Sequence, residues 1–218
     1  MTSKRISEAD AEELRSKYPL LFLEMNEPQS RFIRVKNGAG RTPRRRILEC
    51  GNKVGKTHMG IAEDIAHMIG YRPWLYEDDP DYRINIKVPN VGLVAGETVM
   101  HSIAEKIVPT FRELVPDYCK PVFKAGPTGV PIKMTLALDT KGKKCGSECY
   151  FRSYDQRADT FEGIDMQWFH ADEPPPQDVL QAIERGKVVT NAPSWYTMTP
   201  LKQAYFYSMF SCKAGIRV

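Results

Sequence analysis

Apolar and amphipathic stretches alternate along most of the chain. Three apolar runs predict buried strands at 47–50, 91–96 and 166–171. Each is followed by a stretch with helical periodicity, at 58–69, 99–114 and 177–185. A further strand is predicted over 194–199 and a short helix over 201–210. Strands that alternate with helices form a mostly parallel sheet with helices on both faces, so the pattern predicts an α/β fold.

The remaining segments show other patterns. Residues 7–23 have helical character, with a Ser-x-x-Asp start, and Asn26-Glu27-Pro28 is expected to end that helix. Residues 71–85 are rich in Pro, Asp and Tyr, which indicates an irregular surface insertion. Alternation over 134–138 and 148–154 predicts an antiparallel hairpin with its turn at 141–144. We expect one domain overall, with a helical lead-in over 1–40 and an α/β core over 41–218.

Composition is that of a soluble globular protein. The chain has 218 residues, 42% of them apolar and 27% charged, which suits one large α/β domain. No apolar stretch approaches the length of a membrane span. Five cysteines without a paired framework favour free thiols in a reducing compartment. Cys145 and Cys149 have no second Cys/His pair at useful spacing, so free thiols in or beside a strand are favoured over a zinc site.

The net charge of +4 permits a polyanionic partner without requiring one. The sharpest local excess is the basic run Arg41-Thr42-Pro43-Arg44-Arg45-Arg46, just before the first core strand. It could contact nucleic-acid phosphates, or it could be a solvated basic loop that enters a strand.

The segment CGNKVGKT at 50–57 has the strand–loop–helix context of a phosphate-binding loop. Its backbone N–H groups and the following helix N-terminus would surround an anion. Lys56 could reach the β- and γ-phosphates, and the Thr57 hydroxyl could ligate Mg²⁺. The first glycine of the usual G-x-x-x-x-G-K-[ST] pattern falls on Cys50, with Gly51 one place late. A glycine-rich turn with a solvated lysine is the alternative.

A phosphate loop needs an acidic partner at the end of a neighbouring strand, and Asp172-Glu173 follows the apolar run that begins at Trp168. Asp172 would hold Mg²⁺, and Glu173 would orient and deprotonate the attacking water. The same carboxylates could instead cap the helix after Pro174-Pro175-Pro176. Because the loop and the acidic pair are two halves of one site, their joint presence favours an NTPase.

Three other side chains fit an ATP site. The Gln29 amide could pair with the N6/N7 face of adenine, although a lone glutamine is usually a solvated side chain. The hydroxyls of Thr197 and Thr199 could sense the γ-phosphate, or these threonines could simply reflect β-strand preference. The predicted ATP-binding residues are Gln29, Gly51, Asn52, Lys53, Val54, Gly55, Lys56 and Thr57.

Together these motifs resemble the ATPase domain of the large terminase subunit, the DNA-packaging motor of tailed bacteriophages. The matching segments are 27–29, 51–57, 161–163 with 168–175, and 197–202. In that family they are the adenine-binding motif, the phosphate loop, the acidic motif and the coupling motif. The resemblance extends from about Pro28 to Lys202, and the order and spacing of four motifs make it specific.

The resemblance implies an ASCE-type P-loop NTPase fold and a Mg²⁺-dependent ATPase. It implies a homo-oligomeric ring when assembled, with a monomer in isolation, that moves double-stranded DNA into the procapsid. The expected partners are the portal protein and the small terminase subunit, at the procapsid portal in the host cell cytoplasm, with no membrane. Lys53 would be the basic residue inside the loop, and Thr197 with Thr199 would couple hydrolysis to movement.

Ring motors often complete the site with an arginine from the neighbouring subunit. Arg157 is our preferred candidate, ahead of Arg152, and a surface salt bridge is its alternative role. Full large subunits also contain a nuclease domain. No acidic cluster remains in this sequence once Asp172 and Glu173 are assigned, so we expect no DNA cleavage from this chain.

Two rival functions share some of these features. An ATP-dependent helicase or DNA-repair motor has both nucleotide motifs, but it also has a second RecA-like domain, for which this chain is too short. A non-catalytic nucleic-acid-binding module would use the basic run at 41–46 alone.

Overall fold

The computed structural model describes residues 7–199, 205–206 and 216–217. The helices are α1 (Glu8–Lys17), α2 (Glu27–Arg34), α3 (Lys56–Ile69), α4 (Val108–Leu114) and α5 (Gln177–Lys187). A π-helical segment, Val99–Ile107, leads directly into α4. The strands are β1 (Arg45–Glu49), β2 (Val91–Gly96), β3 (Pro121–Ala125), β4 (Pro131–Leu138), β5 (Lys144–Ser153), β6 (Trp168–Asp172), β7 (Ser194–Met198) and β8 (Ile216–Arg217).

Strands β1 to β7 form one sheet, and the two-residue β8 adds to its edge, in the order β3-β4-β5-β2-β6-β7-β1-β8. β3 and β4 are antiparallel edge strands, and the other neighbouring strands are parallel. The predicted α/β class, with a mostly parallel sheet, is confirmed. β7 lies between β1 and β6, so the strand before the phosphate loop and the acidic strand are not neighbours in the sheet.

Helices cover both faces of the sheet. On one face, Ile65 of α3 and Phe111 of α4 share a buried cluster with Trp168 and Trp195. On the other face, Ile183 of α5 belongs to the second buried cluster. Every residue of α3 from Met59 onward is buried. A helix buried on all sides lies at the centre of a domain, so α3 is the element around which the sheet and its neighbours pack.

A buried ionic cluster joins α3 to β1 and to the irregular insertion. The Glu63 carboxylate accepts from Arg46 at 2.7 Å and from Arg72 at 2.8 Å, and all three side chains are at most 4% exposed. Burial alone would raise the pKa of Glu63, but the charges of Arg72 and Arg46 outweigh it and hold that pKa well below its usual range. The carboxylate is therefore ionised and holds two buried guanidinium groups.

The N-terminal prediction is partly wrong. α1 ends at Lys17 and has no buried residue, although Ser7 forms the predicted capping box with Asp10. Asn26 does not end a helix; it caps α2, with Pro28 in the first turn. Proline is tolerated there because the first-turn N–H groups have no intrahelical partner. Phe32 of α2 belongs to the same buried cluster as α3.

The predicted irregular insertion and the predicted hairpin are both present. Residues 71–85 are irregular apart from one isolated bridge between Tyr71 and Arg83. The predicted hairpin is β4 and β5, and β3 and β8 were not predicted. The helix predicted over 201–210 lies outside the described residues, except that 205–206 are helical. Cys145 and Cys149 are buried free thiols in β5. In the described segments, no helix is long and apolar enough to cross a membrane.

We predict that Glu63→Gln lowers the free energy of unfolding by about 3–5 kcal/mol, because it leaves buried arginines without a counter-charge. Urea unfolding followed by circular dichroism measures this loss. The stabilisation is present above the unfolded pKa of about 4.3 and is lost as the pH falls further, so wild type and variant should converge in acid. The control is Glu162→Gln, whose exposed carboxylate bonds Arg185. Equal stability of the two variants would contradict the prediction.

Candidate nucleotide-binding site

The phosphate loop connects β1 to α3 at the carboxyl edge of the sheet. Gly55 has φ +76° and precedes the first residue of α3, and Lys53 has φ +63°, which is unusual for a residue with a Cβ. Lys56 is buried, and its Nζ donates to the Gly51 carbonyl oxygen at 2.7 Å. The Lys56 ammonium group is therefore held above the phosphate loop, next to the N-terminus of α3.

α2 supports this loop from outside. The Gln29 amide nitrogen donates to the Gly55 carbonyl oxygen at 3.1 Å, and Asn26 Nδ2 donates to the Val54 carbonyl oxygen at 3.1 Å. Gln29 Oε1 accepts from the Asn26 N–H at 2.9 Å, so both ends of the Gln29 amide are bonded. Gln29 is 6% exposed. The structure thus places Gln29 as a support of the loop, and its contact with adenine stays a prediction.

The Asp172 carboxylate lies between two threonine hydroxyls. Asp172 Oδ1 accepts from Thr57 Oγ1 at 2.8 Å and from Thr197 Oγ1 at 2.8 Å. Thr57 belongs to the first turn of α3, Thr197 to β7, and Asp172 to the end of β6. The two predicted metal residues are therefore in direct contact, and the predicted coupling residue Thr197 holds the carboxylate from the other side.

Behind this carboxylate lies a fully buried polar chain. His170 Nε2 is 2.9 Å from Thr197 Oγ1, and His170 Nδ1 is 2.8 Å from Asp64 Oδ2. Asp64 Oδ1 also accepts from Trp195 Nε1 at 3.1 Å. A Cβ at Gly60 would lie 2.5 Å from the His170 ring and 2.8 Å from Thr197 Cγ2. Only glycine at this position lets α3 approach the chain so closely.

The proton positions in this chain follow from its acceptors. The Thr197 hydroxyl has one proton and donates it to Asp172, so it must accept from a protonated Nε2 of His170. The other ring nitrogen then shares a proton with Asp64. Burial raises the pKa of Asp64 to about 6, and His170 limits that rise. Each member of the chain therefore has a hydrogen-bond partner, which a buried polar group requires.

Glu173 follows directly with a backbone φ of +75°, a strained value for a non-glycine residue. Its N–H donates to the Thr197 carbonyl oxygen at 2.8 Å, and the Tyr154 hydroxyl donates to its carbonyl oxygen at 2.8 Å. Its carboxylate accepts from the Thr199 N–H at 3.2 Å and lies 3.1 Å from the Thr199 hydroxyl. These contacts fix the Glu173 side chain beside Thr199.

The Thr199 hydroxyl also lies 3.2 Å from Asn52 Oδ1 of the phosphate loop. A hydroxyl has one proton, so Thr199 can donate to Asn52 or to Glu173 but not to both. The catalytic candidate and the loop therefore compete for one donor. This competition is a physical link between the two halves of the site.

The structure brings together most of the predicted site residues. Arg157 takes no part in the contacts described above. Its side chain is exposed and bonds Asp159 at 2.8 Å. The Lys53 side chain is exposed on the loop. Three residues of the site were not predicted from the sequence: Asp64 and Gly60, whose roles depend on packing, and His170. The signal for His170 was available, since it is a polar residue inside an apolar run two positions before the acidic pair.

The residues present fit Mg²⁺. In the part of the chain that the structure describes, no group of three or more His, Cys, Asp or Glu side chains could hold a metal. Mg²⁺ does not need such a group, because it keeps several waters and binds one or two protein oxygens together with substrate phosphates. Thr57 and Asp172 supply two such oxygens within 2.8 Å of each other.

We predict that Thr197→Val lowers the free energy of unfolding by about 1–3 kcal/mol, because His170 loses its buried partner and Asp172 loses one donor. Thr197→Ser keeps the hydroxyl and is the matched control, with a smaller loss from the missing methyl group. Urea titrations of both variants measure the difference. Valine as stable as serine would show that the hydroxyl bridge contributes little.

No protein-family model matches this sequence, and no curated protein matches it. Solved structures do match. The chain is similar to a mutant large terminase ATPase domain of Thermus phage P74-26, with TM-score 0.61 and 18% identity over 98% of this chain and 78% of that one. It is also similar to the large terminase of a thermophilic bacteriophage, with TM-score 0.60 and 14% identity over 90% of this chain and 45% of that one.

The same thermophilic-phage terminase in complex with ADP matches with TM-score 0.57 and 15% identity, over 89% of this chain and 45% of that one. The chain thus spans less than half the length of that second terminase. At these identities the similarity establishes the fold. This chain has the fold of the large terminase ATPase domains.

Proposed function

We propose that this chain is a Mg²⁺-dependent ATPase and the motor domain of a viral large terminase. The observation that supports it best is the contact between Thr57 and Asp172, which joins the phosphate loop to the acidic pair across β7. A lysine, a hydroxyl and two carboxylates at the end of a parallel sheet are the groups that phosphoryl transfer requires.

The chemistry follows from these positions. Lys56 neutralises charge on the β- and γ-phosphates, and Thr57 with Asp172 would hold Mg²⁺. The metal, when bound, stabilises negative charge on the phosphate oxygens. Glu173 accepts a proton from water as the water oxygen bonds to the γ-phosphorus and the bond from that phosphorus to the ADP oxygen breaks. The products are ADP and phosphate.

Thr197 and Thr199 are the proposed coupling residues. Thr197 bonds the metal-site carboxylate, and Thr199 shares its single proton between Glu173 and Asn52. If a change in the loop gave Asn52 another hydrogen-bond partner, the Thr199 hydroxyl would donate to Glu173 instead. The state of the phosphate loop can thereby alter the catalytic carboxylate and the strand end that holds it.

Arg157 is the proposed transition-state arginine, supplied to a neighbouring copy in a homo-oligomeric ring. Its side chain is 85% exposed, so a second chain could reach it. The assembled motor would move double-stranded DNA into the procapsid. Its partners would be the portal protein and the small terminase subunit, at the procapsid portal in the host cytoplasm. The expectation that this chain does not cleave DNA stays a prediction.

We predict that Glu173→Gln lowers the rate of ATP hydrolysis at least about 100-fold while it keeps nucleotide affinity, because it removes the base and leaves the loop intact. Lys56→Ala should instead weaken ATP binding itself. Phosphate release and binding of a fluorescent ATP analogue separate these effects. Both are measured with Mg²⁺ at high protein concentration, since an arginine supplied in trans requires assembly.

Glu77→Gln is the matched control, since it removes an exposed carboxylate that bonds Lys141. It should hydrolyse ATP at the wild-type rate. A wild-type rate for Glu173→Gln would rule out the catalytic role. A wild-type chain without Mg²⁺-dependent turnover under these conditions, with or without DNA, would count against the ATPase itself.

A further inference from the structure

A basic cleft lies at the amino-terminal edge of the sheet. The cleft has a volume of about 700 Å³, and its walls include residues just before several parallel strands: Arg44 before β1, Lys87 before β2, Gln167 before β6 and Pro193 before β7. The phosphate loop and Asp172 lie at the carboxyl edge of the same strands. The cleft is therefore separate from the candidate nucleotide site.

The charge of this cleft is strongly unbalanced. Seven of its lining residues are Lys or Arg, and one, Asp81, is an acid. Asp81 already bonds Lys36 and Arg34. The remaining exposed cations of the wall are Arg41, Arg44, Arg83 and Lys87. Among the described residues, none of these four has a carboxylate oxygen within salt-bridge distance.

The floor of the cleft consists of buried side chains and is also basic. Arg46 and Arg72 line it, are at most 4% exposed, and share the single carboxylate of Glu63. His67 also lines the floor. Burial lowers its pKa to about 4, so His67 is neutral at pH 7 and does not change the charge of the floor. The seven Lys and Arg residues of the lining face two buried carboxylates, Glu63 and Asp81, so the cleft keeps a net positive charge. A buried basic floor beneath exposed cations is a site for a polyanion.

We propose that this cleft binds the phosphodiester backbone of double-stranded DNA. The proposal rests on the function proposed above, because it gives the motor a surface on which to hold its substrate. The basic run at 41–46, which the nucleotide site does not use, supplies three of the seven cations in the cleft: Arg41, Arg44 and Arg46. Arginine is the side chain best suited to phosphate, since its planar group donates to two oxygens at once.

The expected contact is electrostatic and independent of sequence. Phosphates repeat regularly along the duplex, so a surface that binds them can release one and take the next. A motor that moves along DNA needs this kind of contact. Binding should therefore weaken steeply with salt, and each cation removed should reduce the slope of log affinity against log salt by about one.

The test is the triple variant Arg41→Ala, Arg83→Ala and Lys87→Ala. All three residues are exposed and lie outside the nucleotide site. We expect its affinity for a fluorescently labelled duplex of random sequence to fall at least about tenfold at ~100 mM salt, with a salt slope smaller by about three. Fluorescence anisotropy over a salt series measures both. ATP turnover without DNA should stay at the wild-type rate.

The matched control removes three exposed lysines at the antiparallel end of the sheet, in Lys124→Ala, Lys143→Ala and Lys144→Ala. It changes net charge equally and should keep wild-type affinity. Wild-type affinity and slope in the cleft variant, or an equal loss in the control, would overturn the proposal. So would tighter binding of a single strand than of the duplex. The binding assay needs no ATP, so failure of the ATPase and failure of the cleft are separate results.

Discussion

The position of β7 in the sheet is the constraint on which the candidate site depends. β7 pairs with β1 on one side and with β6 on the other, in a register that sets Thr197 beside Leu48 and Asp172. The Thr197 hydroxyl can therefore donate to the Asp172 carboxylate from one side, while Thr57, on the first turn of α3, donates to it from the other. Without a strand between β1 and β6, this carboxylate would have no such second donor.

α3 connects the two edges of the sheet through buried charges. The phosphate loop leads into its N-terminus, and Asp64 supports the Asp172 carboxylate through His170 and Thr197. Glu63, the residue before Asp64 in α3, lies on a different side of the helix and binds the two arginines in the floor of the basic cleft. Because buried polar groups are costly unless paired, α3 has little freedom to move independently of either edge. One helix thus contacts both the proposed ATP site and the proposed DNA surface.

Local patterns in the sequence predicted much of the fold and half of the site. The loop at 50–57 and the pair Asp172-Glu173 are contiguous motifs, and period and turn residues located most strands and helices. Other features depend on how distant segments pack together. These are the contact of Gln29 with the loop, the contact of Asp64 with His170, and the basic cleft. β3, a largely exposed edge strand, has no strong apolar pattern to reveal it. The sequence pattern identifies the candidate reacting groups, whereas strand order determines which side chains support them.

We propose that the loop at 50–57 and the pair Asp172-Glu173 form one nucleotide site. A crystal structure of this chain with Mg²⁺ and a non-hydrolysable ATP analogue would show whether they do. We expect the triphosphate on the loop at 51–57, Mg²⁺ near Thr57 and Asp172, and Glu173 facing the terminal phosphate. A nucleotide bound elsewhere, or one bound on the loop with Asp172 and Glu173 both turned away from it, would show that the two segments do not form one site.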